Sequence, residues 1–147
     1  MAAAERKEVI DVPLKTFFDV VCDFSSYPEF VTGMKKAKLL GEEGGRKKVE
    51  FELELMKRVQ YVVSLAQTMD GNAGTAKVDW HLVSSEAMKV NNGTWLLKAL
   101  GPQKTEVTYK LEVEVNFPVP GFIMRGLVGN SLPTAIKEFV DRAKKRS

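Results

Sequence analysis

The chain has 147 residues, 44% hydrophobic and 28% charged, a composition that suits one folded domain with its own core and excludes a disordered or low-complexity chain. A net charge of +3 is too slight to mark a nucleic-acid binder, the single cysteine, Cys22, rules out an internal disulfide, and no apolar run nears the roughly 20 residues of a membrane-spanning helix. The opening residues, MAAAERKEVIDV, become charged too early for a secretory leader, so a cytoplasmic setting is expected.

Residues 5 to 12 read as a first strand. Pro13 suits a first helical position, where its missing N–H costs nothing, and Phe17, Val20, Val21 and Phe24 then recur at helical spacing on one face. Cys22 falls within that apolar pattern and reads as a small core residue, while Lys15, Asp19 and Asp23 read as a solvated face with local charge pairing. Ser25, Ser26 and the Tyr27-Pro28 pair predict a tight turn or second short helix, followed by a strand over 34 to 41.

From there the apolar period becomes two. Val49, Phe51, Leu53 and Leu55 alternate with Glu50, Glu52 and Glu54, and the odd positions continue inward through Val59, Tyr61, Val63 and Leu65. An unbroken strand over this length would be far too long, so the chain must turn. An odd number of loop residues keeps the odd positions on one face, which selects Met56, Lys57 and Arg58 for the turn. Strands follow near 75 to 85, with Val78, Trp80 and Leu82 inward, near 90 to 100, with Trp95 and Leu97 inward, and over Val107 to Val115. Beyond Pro120, Leu132, Ala135, Ile136, Phe139, Val140 and Ala143 trace a helical face, with Pro133 starting or kinking that helix. The expected fold is α+β, a helix grip: a curved antiparallel sheet of about seven strands, two short helices after the first strand, and a long C-terminal helix across the sheet, in a single domain over residues 1–147.

Two stretches carry a resemblance. FFDVVCDFSSYPEFVTGMKKAKLL is similar, through Asp23, Tyr27, Pro28 and Phe30, to the helix, Tyr-Pro-x-Phe turn and strand of the START-like (SRPBCC, helix-grip) superfamily. Within it the branch of coenzyme Q-binding proteins, ribosome-association toxins and polyketide cyclase/dehydrase-like proteins comes nearest. LVSSEAMKVNNGTWLL resembles the same branch's Gly-x-Trp strand through Gly93 and Trp95. Members often carry Ser or Thr followed by Arg after the aromatic of the fourth strand, whereas this chain reads Tyr61, Val62, Val63, Ser64, so no headgroup arginine carries over. The resemblance implies a hydrophobic ligand such as a quinone, lipid or polyketide.

No catalytic constellation is visible. His81, the one histidine, alternates with Trp80 and Leu82 and points outward with Asp79 unless a bulge reverses it. No G-x-S-x-G nucleophile pattern and no His/Cys cluster occur, so neither a metal nor another cofactor is expected. Gly41, Gly44 and Gly45 precede Arg46, Lys47 and Lys48 without phosphate-loop spacing, which reads as a hairpin turn. These basic residues, with Lys35, Lys36 and Lys38 and the terminal Arg142, Lys144, Lys145 and Arg146, allow transient membrane or ribosome contact. Specific DNA binding is not expected, because no aromatic residues interleave with them.

The apolar side chains suggest a ligand cavity. Tyr27, Phe30, Phe51, Leu53, Tyr61, Val63, Trp80, Leu82, Trp95, Leu97, Tyr109, Leu111, Val113, Leu132, Ile136 and Phe139 are the expected lining between sheet and terminal helix, with Tyr61, Gln67, Tyr109 and Asn130 as polar handles. Asn116 to Gly129, rich in proline and glycine, is the expected gate, opening near Phe122. The function so predicted is non-enzymatic binding or carriage of a hydrophobic small molecule. The alternatives are a polyketide cyclase or dehydratase using Tyr61, Tyr109 or His81, and a ribosome- or partner-binding module of the toxin-like branch.

Overall fold

The computed structural model describes residues 2–55 and 57–146. In chain order they form β1 (Ala2–Ile10), α1 (Leu14–Cys22), a 3-10 helix (Phe24–Glu29), β2 (Met34–Glu43), β3 (Arg46–Leu55), β4 (Lys57–Asp70), β5 (Thr75–Ser85), β6 (Met88–Gly101), β7 (Lys104–Val115) and α2 (Gly121–Arg146). The strands make one antiparallel sheet in the order β1-β7-β6-β5-β4-β3-β2, with the helices on its concave face, which is the helix grip.

Local chemistry explains the entry to the sheet. Pro13 stands just before α1, not inside it, and its carbonyl accepts the Phe17 N–H at 3.1 Å. Phe17, Val20 and Val21 are buried on the face that alternation at helical spacing marks out. The Tyr27 hydroxyl donates to the Val21 carbonyl, so the aromatic ring of the Tyr-Pro turn fastens the 3-10 helix to the end of α1. Asp23 pairs with Arg146 at the far end of the chain, and Ser26, three residues on, also hydrogen-bonds its carboxylate. Cys22 packs half-buried against the core, where burial pushes its thiol up to about 12 despite the opposing charge of Lys47.

The strand register keeps odd positions inward. Val49 faces Val63, Phe51 faces Tyr61 and Leu53 faces Val59 across β3 and β4. Lys57 and Arg58 are strand residues, paired with Leu55 and Glu54, and so are not the turn that the alternation suggests; Met56, the remaining residue of that expected turn, lies outside the described residues. Gly44 and Gly45 adopt φ of 59° and 78° between the paired Glu43 and Arg46, the two-residue loop that closes β2 on β3. One bulge interrupts β5, where Val83 is the extra residue between the Val62–Ser84 and Val63–Leu82 pairs. It lies beyond His81 and does not reverse it.

Helix α2, about 39 Å long at 1.5 Å per residue, crosses the sheet and packs in two parts. Met124, Val128 and Leu132 meet Ala2 and Val113 of the β1/β7 edge, whereas Ile136, Phe139 and Ala143 join the larger core beneath α1. Pro133 sits inside the helix and neither starts nor ends it. Gly121 to Gly129 are its first turns, so the expected gate is helical over those residues.

Gly93 has a steric reason to be glycine. The ring of Trp80 on β5 lies against it, and a Cβ there would stand 2.1 Å from the Trp80 Cζ2. Trp80 must therefore shift if Gly93 gains a side chain. Gly93→Ala is expected to lower stability by about 1–3 kcal/mol, read as a fall in the urea midpoint at unchanged m-value. A midpoint equal to that of the parent would show that Trp80 does not need this contact.

Candidate functional site

Between the concave face of the sheet and the overhang of α2 lies a cavity of about 400 Å³. Its floor is Phe51, Leu53, Tyr61, Val63, Leu65, Val78, Trp80, Met88, Asn91, Trp95, Tyr109, Leu111 and Val113, successive inward positions of β3 to β7. Tyr27, Val31, Thr32 and Met34 close one side, and Leu127, Val128, Asn130, Ser131, Thr134, Ala135, Glu138 and Phe139 of α2 form the roof. Thr32, Asn130, Ser131 and Thr134 are its exposed members, which puts the mouth between the loop before β2 and the outer flank of α2.

Trp95 divides this space from the solid core. Phe17 of α1 meets its ring edge-on at 5.6 Å and Phe139 lies tilted to it at 5.0 Å, while Tyr109 stacks on it from the cavity side at 4.1 Å and 7°. Trp80 tilts towards Tyr109 at 6.2 Å, and its Nε1–H donates to Asn91 Oδ1 at 3.1 Å. Asn91 Nδ2 faces Met88 Sδ at 3.5 Å, so the amide is held from both ends.

Burial raises the pKa of all three tyrosines, Tyr27, Tyr61 and Tyr109, above the ordinary phenol range. Desolvation is the main cause, the neighbouring phenols add to it at Tyr27 and Tyr61, and a hydrogen bond with Asn91 partly offsets it at Tyr61. The Tyr109 hydroxyl has no hydrogen-bond partner among the described residues, and burial alone moves it. At the mouth, Glu138 accepts from the Thr32 N–H at 3.0 Å and from the Thr32 hydroxyl. Two further ties join the same elements: Arg142 to Glu29 at 2.6 Å, with its guanidinium 5.1 Å from the Phe30 ring, and Arg146 to Asp23.

Of the residues the sequence points to, Tyr27, Phe51, Leu53, Tyr61, Val63, Trp80, Trp95, Tyr109, Leu111, Val113 and Phe139 face the cavity. Phe30, Leu82, Leu97, Leu132 and Ile136 do not. Leu97 is buried in the core that also holds α1, Leu132 and Ile136 belong to the stripe that seats α2, and Phe30 and Leu82 pack against the core's margin. Asn130 reaches the mouth, whereas Gln67 lies away from the cavity with its Oε1 buried and unpaired among the described residues. Phe122 is 70% exposed and outside the lining, so the opening is not there. The roof residues Ser131, Thr134, Ala135 and Glu138, with Thr32 and Asn91, escape a search for apolar positions because they are polar or small.

His81 sits on the outer face. Arg46 there donates to Ser64 Oγ at 2.7 Å and to Asp79 at 3.1 Å, and its guanidinium reaches within 3.5 Å of His81 Nδ1. The imidazole is thus separated from the cavity by the sheet. Among the described residues no group of three or more His, Cys, Asp or Glu is placed to hold a metal ion, and no helix is long and apolar enough to cross a membrane.

Residues 10–140 match the family model described as polyketide cyclase / dehydrase and lipid transport. The ribosome association toxin RatA of Pseudomonas aeruginosa is 23% identical over 140 residues, 95% of this chain and 94% of its own length. A START superfamily protein from Mycobacterium smegmatis superposes with a TM-score of 0.86 at 19% identity, covering 100% of both chains. The Zhui aromatase/cyclase from Streptomyces sp. R1128 superposes with a TM-score of 0.71 at 12% identity over 98% of this chain and 94% of its own. At these identities the structural likenesses establish the fold.

All the tyrosines of the chain, three in number, line the cavity, so their titration reports on it alone. Their folded-state pKa values are raised, so the fold carries no ionisation penalty below about pH 10, the unfolded value. Above it the unfolded chain ionises first and stability falls as pH rises. A spectrophotometric titration is expected to show no tyrosinate absorbance near pH 10, followed by a joint rise with alkaline unfolding. Reversible ionisation of any tyrosine near pH 10 in the folded protein would contradict the burial described.

Proposed function

The chain belongs to the polyketide cyclase/dehydrase and lipid transport family, and within it we propose non-enzymatic binding and carriage of a hydrophobic small molecule in the cavity between sheet and α2. The observation that carries this reading is the cavity itself. Its volume of about 400 Å³ lies within the range of small-molecule sites, and aromatic and aliphatic side chains dominate its walls. Shielding such a guest from water needs no bond making, and each buried methylene contributes roughly 0.8 kcal/mol before the costs of association.

A cyclase or dehydratase, the reading favoured by the likeness to an aromatase/cyclase, would need an acid or base within reach of a bound carbonyl. The tyrosines are kept neutral by burial and can donate a hydrogen bond but not accept a proton near neutral pH. Glu138 stands at the mouth, and His81 is on the other side of the sheet. Binding therefore asks less of these residues than catalysis does. The similarity to a ribosome association toxin favours ribosome contact as another reading, yet Lys36 pairs with Glu50 at 3.4 Å and Lys47 with Glu42 at 4.0 Å, which blunts the basic hairpin. Salt-sensitive cosedimentation with ribosomes, lost when Lys35, Lys36 and Lys38 become Glu, would establish that reading instead.

Trp80 and Trp95 are the chain's two tryptophans and both face the cavity, so intrinsic fluorescence reads occupancy directly. Protein purified from its own host is expected to carry an extractable apolar compound by native mass spectrometry. Adding that compound back to delipidated protein should change the fluorescence and raise the thermal midpoint. Ala135→Phe, which puts a ring into the roof, is expected to weaken binding at least about tenfold with the fold intact, an effect of steric exclusion. An empty protein that responds to no quinone, acyl ester or aromatic polyketide would overturn the proposal.

A further inference from the structure

The cavity contains almost no charge. Apart from its three neutral tyrosines, Glu138 is the single ionisable side chain among its described lining residues, and it stands at the mouth with its carboxylate held by Thr32. No lysine, arginine or histidine is among the described lining residues, and Arg142, one turn beyond Glu138, is already paired with Glu29. A carboxylate or phosphate drawn inside would lose its hydration without gaining a cation, and would pass a negative side chain on the way. The floor, by contrast, is rich in rings, with Tyr109 stacked on Trp95 and tilted against Trp80, and Phe51 beside Tyr61 at 5.6 Å.

The polar atoms on that floor are mostly committed. Tyr27 donates to Val21, the Trp80 indole to Asn91, and the Tyr61 oxygen accepts from the Asn91 amide. Tyr109 keeps an O–H with no partner among the described residues, on a ring fixed by stacking on Trp95. A hydroxyl that opens on the cavity with no protein partner is free to donate to a ligand oxygen, which would otherwise be desolvated there without a hydrogen bond.

Resting on the reading that the cavity binds a hydrophobic molecule, we infer that it selects uncharged, ring-bearing ligands that present an oxygen acceptor to Tyr109, and rejects ligands bearing a carboxylate or phosphate. Tyr109 is then the residue that sets specificity, by donating one hydrogen bond to a carbonyl, ether or hydroxyl oxygen. Flat rings would lie along the Trp80, Trp95 and Tyr109 surface, where offset stacking adds to burial.

Delipidated protein titrated with menadione, with palmitate and with methyl palmitate, followed by tryptophan fluorescence and thermal midpoint, tests this. Menadione is expected to bind at least tenfold more tightly than palmitate, and methyl palmitate to fall between them. Tyr109→Phe preserves the stacked ring, and its own thermal midpoint reports that it folds. It should weaken menadione by about threefold to tenfold, the loss of one hydrogen bond, and leave palmitate unchanged. Palmitate binding as tightly as menadione, or menadione unaffected by Tyr109→Phe, would overturn the inference while leaving hydrophobic carriage standing. If none of the three ligands perturbs fluorescence or midpoint, the inference fails, and if the protein from its own host is also empty and an aromatic polyketide has no effect, carriage itself fails as well.

Discussion

The stacking of Tyr109 on Trp95 is the contact on which the rest of the interior turns. Trp95 projects from β6, is backed by Phe17 on one side and Phe139 on another, and presents its remaining face to Tyr109 and the cavity. The ring is therefore both the last residue of the packed core and the first of the open space. Aromatic pairs of this geometry contribute about 0.5–1.5 kcal/mol beyond area burial, and truncation of a core tryptophan costs about 3–5 kcal/mol. Here truncation would also join the cavity to the region under α1. Gly93, two residues earlier on the same strand face, gives Trp80 room to lie alongside. The Gly-x-Trp spacing is thus a packing rule for two indoles, one inward position apart.

The two halves of α2 are held by different physics. Its first half buries Met124, Val128 and Leu132 against Ala2 and Val113, an apolar contact that resists parting. On the side of the mouth its second half carries Glu138, Arg142 and Arg146, tied to Thr32, Glu29 and Asp23. Pairs with so much exposed surface are worth on the order of 0–1 kcal/mol each. At Asp23 burial opposes ionisation, but hydrogen bonds from Arg146 and Ser26 with the Arg146 charge outweigh it and hold the carboxyl below its ordinary range. That contribution is whole above the unfolded carboxylate value and fades as pH falls through the lower folded one. The seam beside the mouth is the weaker of the two, although Phe139 and Ala143 still anchor the same half to the core.

Much of this was legible in the residues. Alternation with period two placed Phe51, Tyr61, Val63, Trp95, Tyr109 and Val113 on the inner face because an antiparallel sheet covered on one side enforces it. The Tyr27-Pro28 turn identified the family because its ring and hydroxyl lock two helical segments together. What the pattern could not show was how the concavity is divided. Leu97, Leu132 and Ile136 have the right polarity for a lining, but α1 fills one part of the concave face and α2 spends its apolar stripe on seating itself. Much of the roof then falls to the neighbouring stripe, Leu127, Ser131, Thr134 and Glu138, about 100° around the helix, whose three polar members give no hydrophobic signal. The tie between Arg146 and Asp23 was equally hidden, since it joins positions 123 residues apart that only the closed fold brings together.

A void of this size is itself an argument about selection. Cavities left in packed cores lower stability by about 24 cal/mol per Å³, so about 400 Å³ corresponds to an upper bound near 10 kcal/mol, reduced by whatever water enters through the mouth. That is as large as the whole folding free energy of an ordinary domain. Small changes would recover part of it: a larger residue at Ala135 or Val63 would fill space, and neither position is constrained by a backbone conformation that forbids it. The walls instead hold their volume open with rigid rings that brace one another from both sides. An arrangement that forgoes this much packing, and turns the Tyr109 hydroxyl towards the space without a partner among the described residues, is explained by an occupant that supplies both.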